Sequence, residues 1–263
     1  MDTSILQRLL TEATAIARRA GQAVREIAAD VGEVLDKADG SPLTRADRAS
    51  HEMIVSGLGR LVPAFPILSE EGDLDSFDAG SRRVYWCVDP LDGTKEFIRG
   101  LSDYTVNIAL VDCGEPTLGV VDVPAAEVTY YAARGLGAFK VAPGARPVPI
   151  RPSRCEQPAS AVVSRSHLSA ETERFLERVG IASTVRRGSS VKICAVAEGS
   201  ADIYPRFGPT CLWDTAAGAA VAREAGCAVV DLSGEALSYD PDAGLKHAGF
   251  LVVPAHLDMG RWL

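Results

Sequence analysis

Two carboxylates three residues apart, Asp89 and Asp92, are joined by Pro90-Leu91 and followed by Gly93-Thr94. Proline fixes one φ between the acids, and glycine frees the backbone after the second. The apolar run 84–88 before them reads as a buried strand, so the acids fall at its end, and 94–98 can start a helix. Two carboxylates at ~4 Å repel by ~4 kcal/mol at an effective dielectric near 20 unless a cation or proton sits between them. The competing reading is a surface turn, since D-P and D-G are common turn dipeptides.

Other acids also stand at element ends. Glu70 follows the short strand-like run 66–69, and Asp214 is expected to N-cap a helix. Either could be plain solvated charge or a cap. Taken together, Glu70, Asp89, Asp92 and Asp214 are hard oxygen donors with no His or Cys nearby to favour zinc. With a backbone carbonyl from Leu91 the set suits Mg²⁺. Carboxylates shared between two ions would serve in-line displacement at phosphorus.

Anion sites are expected beside the acids. Gly93 and Thr94 can offer backbone N–H groups at a helix start, as can Gly188-Ser189-Ser190. Lys192 falls in the first turn of the second of these helices, where a cation opposes the macrodipole, so a bound phosphate would explain it. Solvated surface charge remains the alternative. Thr44 reads as an N-cap with Asp47 in the capping-box position, and His51 lies one turn on.

These residues are positioned by two halves of different rhythm. Residues 3–29 repeat apolar side chains at helical spacing, and a second helix opens after the Thr44 cap and stops before Pro63. From 104 to 132 short period-two strands are separated by tight turns, which predicts an antiparallel meander. The polar stretch 73–83 reads as a loop. A Pro-rich stretch at 142–152 marks the expected boundary, giving an N-terminal α+β half at 1–146 and a C-terminal half at 147–263. The second half alternates strands and helices as an α/β pattern, including a strand at 201–204 and a helix from Asp214.

Composition narrows the partners. The 47% hydrophobic and 24% charged content is that of a soluble globular chain. A net charge of −8 argues against a nucleic-acid polymer or an anionic membrane as main partner. A small anionic substrate remains compatible if metal ions reverse the local field. Six cysteines without a C-x-x-C pair read as buried free thiols. No leader sequence and no apolar run near ~20 residues is visible, so a cytoplasmic protein without integral membrane segments is expected, with peripheral association at the inner membrane left open.

The Glu70-Glu71 pair, the run DPLDGTKEF from Asp89 to Phe97, and WDTAAG from Trp213 to Gly218 resemble the inositol monophosphatase superfamily of Mg²⁺-dependent, lithium-sensitive phosphatases. The runs KADGSPLTRAD, SRSHL and YPRFGPT, with 188–197, are similar to the CysQ-type 3'(2'),5'-bisphosphate nucleotidases. The resemblance implies a layered αβαβα sandwich, sugar-phosphatase-like. It implies two or three Mg²⁺ ions on Glu70, Asp89, Asp92, Asp214 and the Leu91 carbonyl. Thr94 would contact the attacking water, with Asp47 as its acidic partner. Glu70, Leu91, Asp92 and Asp214 would also touch the substrate, with Gly93 and Thr94 on the scissile phosphate. His167, Ser190 and Lys192 are the candidates for a second phosphate. The implied activity removes the 3'-phosphate of adenosine 3',5'-bisphosphate, clearing a by-product of sulfate assimilation. An inositol monophosphatase, a fructose-1,6-bisphosphatase and a non-catalytic metal- or nucleotide-binding protein are the alternatives. Monomer and homodimer both remain open.

Overall fold

The computed structural model describes residues 1–36, 40–79, 83–166 and 168–259. Its centre is a seven-stranded sheet of β3 (Ile67–Ser69), β4 (Val84–Asp92), β5 (Thr105–Asp112), β6 (Glu115–Val123), β7 (Val128–Ala133), β8 (Gly137–Val141) and β9 (Val148–Pro149), in that order. All pairs from β4 onward are antiparallel, as the meander predicts; β3 joins β4 in parallel. The last strand lies just past the boundary expected at 146. Two flanking strands, β1 (Val34–Asp36) and β2 (Pro42–Thr44), form a separate hairpin. Part of the turn expected at 37–43 therefore belongs to β2, and residues 37–39 lie outside the described residues, as do 80–82 of the loop expected at 73–83.

The β4 run is continuously apolar because both faces are covered. Trp86 and Val88 face α1 (Thr3–Ala28) and α2 (Arg45–Leu58), packing with Leu9, Ile16 and Ile54. Tyr85 and Cys87 point to the opposite face, against α5 (Val191–Ala197) and α6 (Leu212–Ala225). Each large side chain so buried contributes about 1.5–3 kcal/mol, so packing outweighs local propensity in setting these elements. α6 comes unusually close to the sheet at Gly119, where an added Cβ would lie 2.2 Å from the Ala217 carbonyl oxygen.

Beyond α5 and α6 lies a second β layer. It holds a two-stranded sheet of β10 (Ser160–Ser164) and β11 (Ser183–Arg187) and a three-stranded sheet of β12 (Tyr204–Cys211), β14 (Lys246–Pro254) and β13 (Cys227–Val230), linked by a bridge between Ala161 and Ile203, with α4 (Ala170–Val179) on the far side. Along the buried half of β14 the side chains alternate between two cores. Val252 faces α6, whereas Leu251 and Val253 face Phe175 and Leu176 of α4. The layers are thus αβαβα, the fold class expected. The second half departs from a pure α/β pattern: β10 and β11 are parallel, but β12, β14 and β13 pair antiparallel. The strand expected at 201–204 instead begins at Tyr204 and runs to Cys211, because its polar half pairs with β14. All six cysteines are free; Cys87, Cys194 and Cys227 are buried as expected, while Cys113 is exposed, being in the turn between β5 and β6. No described helix is long and apolar enough to cross a membrane.

Candidate active site

Residues 89 and 92 would face opposite sides of a regular strand. β4 avoids this with an irregularity: Asp89 pairs with Asn107 and Asp92 with Thr105, three steps on one strand against two on the other. Such a bulge re-aims side chains, and Pro90, which has no N–H to give, is tolerated there. One carboxylate oxygen from each of Asp89, Asp92 and Asp214 falls within 4.8 Å of the others. The third comes from α6. Asp214 was expected as its N-cap, but the helix begins two residues earlier, with Cys211 as the cap. Asp214 sits at N3, and its Oδ2 accepts the Cys211 amide at 3.0 Å.

The cluster is short of positive charge. Asp89 is 1% exposed; its Oδ1 accepts the Leu91 amide at 3.0 Å, while no donor reaches its buried Oδ2. Burial, and then the charges of Glu70, Asp92 and Asp214, hold the Asp89 carboxyl well above the usual range. Asp214 is pushed up to about 8, by burial first and then by Asp92 and Glu70. Asp92 is raised by burial, with Lys192 and Ser190 working against the rise. Three carboxylates at one point, one with an orphaned buried oxygen, and the charge of Glu70 acting on two of them, fit a divalent cation that neutralises them.

The expected water-activating pair is adjacent. Thr94 follows Gly93, whose φ of +90° makes the turn from β4 into α3 (Thr94–Ile98). The Thr94 hydroxyl lies 3.2 Å from Asp47 Oδ1 and 3.1 Å from the Leu91 carbonyl oxygen, and its single proton can serve either. Asp47 is 1% exposed, and its Oδ2 accepts both the Thr44 amide at 2.7 Å and the Thr44 hydroxyl at 2.6 Å. The capping box therefore occupies one oxygen of Asp47 and leaves the other for Thr94.

The loop before α5 closes the other side. The Ser190 amide and hydroxyl lie 2.7 and 2.8 Å from Asp92 Oδ2, the hydroxyl also lies 2.6 Å from the Asp214 carbonyl oxygen, and Asn107 donates to it at 2.9 Å. Ser190 is thus committed to holding two acids together. Lys192 donates to the Ser189 carbonyl at 2.6 Å with its ammonium 5.5 Å over the Tyr204 ring, and burial lowers its pKa to about 8. Both residues line one cavity of about 310 Å³ with Glu70, Asp92, Thr94 and Asp214. Arg206, not singled out by the sequence reading, lines it too. Its signal was a lone cation between Tyr204 and Phe207, indistinguishable from surface charge until β12 is in place. His167 lies outside the described residues.

A model of the inositol monophosphatase family matches residues 5–255. The chain belongs to that family. Family members are metal-dependent, in keeping with the acid cluster. The chain is 46% identical over 248 residues to 3'(2'),5'-bisphosphate nucleotidase CysQ of Escherichia coli K12, covering 93% of this chain and 99% of that one. It is 39% identical over 209 residues to a histidinol-phosphatase of Mycobacterium tuberculosis, covering 76% and 78%. The crystal structure of CysQ from Bacteroides thetaiotaomicron superposes with a TM-score of 0.82 at 40% identity, over 95% of this chain and 98% of that one.

Proposed function

We propose that this chain is a Mg²⁺-dependent 3'(2'),5'-bisphosphate nucleotidase that hydrolyses the 3'-phosphate of adenosine 3',5'-bisphosphate to AMP and phosphate. The observation that carries the reading is the match to CysQ over 99% of its length, with an acid cluster and a paired Thr94 and Asp47 at the cavity. Glu70, Asp89, Asp92, Asp214 and the Leu91 carbonyl would hold the metal. When bound, Mg²⁺ supplies Lewis-acid polarisation of the phosphoryl oxygens and a lowered pKa for the attacking water.

The chain's own groups supply the rest. A threonine hydroxyl is too weak a base to ionise water, but it can take a proton while passing its own to a carboxylate. Thr94 is placed to do this because Asp47 Oδ1 is its hydrogen-bond partner. Asp47 receives the proton on the oxygen that Thr44 leaves free. Gly93 and Thr94 amides orient the scissile phosphate toward the acids. Lys192 and Arg206 are the cations for the second phosphate, and Ser190 positions Asp92 and Asp214 behind them.

The test is phosphate release with Mg²⁺ from adenosine 3',5'-bisphosphate, inositol 1-phosphate, fructose 1,6-bisphosphate and histidinol phosphate, side by side. The bisphosphate nucleotide should give the highest kcat/KM. An equal or greater value on any of the others sinks the nucleotidase reading.

A further inference from the structure

Helix α2 reaches the site three times. Asp47, Ser50 and His51 are spaced i, i+3 and i+4 and so share one face. Asp47 meets Thr94 after β4. The Ser50 hydroxyl donates to the Pro90 carbonyl at 2.6 Å, inside the bulge. His51 Nδ1 lies 2.9 Å from the Ser69 hydroxyl at the end of β3, one residue before Glu70. The mechanism above uses the first contact and leaves the third unexplained.

Glu70 is the metal-site carboxylate with the weakest scaffold. β3 is three residues long and sits at the edge of its sheet, paired on one side only and in parallel. Parallel pairing is the less stable kind per residue. From 70 to 79 the described chain holds neither helix nor strand. The Glu70 amide donates to the Val88 carbonyl at 3.1 Å, which fixes the backbone from the β4 side. His51 meets the same chain end one residue earlier, through the Ser69 hydroxyl. Ser69 is 2% exposed, so its hydroxyl would be a buried polar group without that imidazole. The other carboxylates need no such prop, since β4 is flanked by β3 and β5, and α6 is packed between two sheets.

We infer that His51 and Ser69 form a positioning pair that holds Glu70 in place at the metal site. The inference rests on reading Glu70 as a metal ligand, and its test separates the two. The full chain is melted at rising MgCl₂ without substrate, and the midpoint of the Mg²⁺-dependent rise in Tm is read. His51→Ala and Ser69→Ala should each shift that midpoint upward by about tenfold, the lower end of what groups behind a metal ligand contribute. The double variant should shift it no further than either single one, because the same contact is lost. His51→Asn, which keeps a polar atom near the Nδ1 position, should restore most of the affinity. At saturating Mg²⁺ the variants should keep the wild-type kcat.

An unmoved midpoint in His51→Ala overturns the inference, even where the metal-free Tm drops, since that would be a purely structural role. Additive shifts in the double variant overturn it as well. A wild-type protein with no Mg²⁺ response overturns the metal reading and the pair together. A midpoint that moves in Glu70→Gln but stands unmoved in His51→Ala removes the pair alone, and one unmoved in Glu70→Gln removes the reading of Glu70 as a ligand.

Discussion

The cavity has an acidic wall and a basic wall, and the two are assembled differently. On the acidic side, Asp89, Asp92 and Thr94 come from six consecutive residues, re-aimed by one bulge in a strand covered on both faces. Asp47 meets them from a helix whose own capping box fixes it. On the basic side, Lys192 rides a helix of seven residues and Arg206 a strand that pairs with β14. Burial works against both walls, raising the acids and lowering Lys192. The acids are many and close, so they call for a cation; the two basic groups come from different elements and act on each other's charge. Under the proposed function, one wall would set the reaction type and the other the substrate choice.

The sharpest way to break this division is Asp92→Asn, which removes a metal-site charge and weakens the Ser190 clasp across the cavity. If Asp92 holds the metal as proposed, its loss removes several kcal/mol of transition-state stabilisation, so kcat/KM should fall by on the order of 10³-fold or more. The metal-free Tm should hold or rise, because one of three crowded carboxylates no longer repels the rest. A collapsed melting curve would show that the cluster is a structural element instead. Next in size, Thr94→Val keeps the shape of the turn but deletes the hydroxyl between the water and Asp47. General-base assistance is worth about 10²–10⁴-fold, and the loss should appear in kcat with KM little changed. Asp47→Asn should cost a similar factor, and the double variant should cost no more than the worse single one. A KM effect shared by all substrates would move Thr94 to the binding side of the comparison.

The same contrast governs what the chain discloses before it is folded. The acidic wall is dense in local signal: D-P-L-D-G-T, a capping box, and an acid near a helix start can each be read within a few residues. The αβαβα order is what the family resemblance implies, and the strand and helix periodicity agrees with it. Three details stay hidden because they depend on long-range packing. The bulge at 89–92 shows only against its partner β5. Asp214 lies at N3 because Leu212 and Trp213 are buried in the first turn of α6. Ser190 reads as a phosphate contact from a Gly-Ser-Ser start, but its amide and hydroxyl turn to Asp92, 98 residues away in sequence. Arg206 reads locally as surface charge, and only the pairing of β12 with β14 brings it to the cavity.

The basic wall yields the smaller and more selective effect. Lys192 is 6% exposed and packs beside Tyr204, so Lys192→Met removes the charge and keeps the packing. A hydrogen bond to a charged group contributes about 1.5–3 kcal/mol. The variant should therefore lose roughly 10- to 100-fold in kcat/KM on adenosine 3',5'-bisphosphate, carried by KM, and little on 3'-AMP, which has no second phosphate. The pH dependence has a definite sign. Burial lowers the Lys192 pKa to about 8, so the free protein holds the ammonium below that pH and loses it above. Attraction for the second phosphate is present on the acid side and fades as pH rises through 8. Because the limb belongs to free protein it appears in kcat/KM; a bound phosphate raises the lysine's pKa and pushes the corresponding limb in kcat higher. Profiles of the two substrates should thus coincide on the acidic side and part above pH 8, and in Lys192→Met they should run parallel throughout. Parting that persists in the variant would place the second-phosphate contact on another group, and Arg206, which keeps its charge across this range, would be the cation to test.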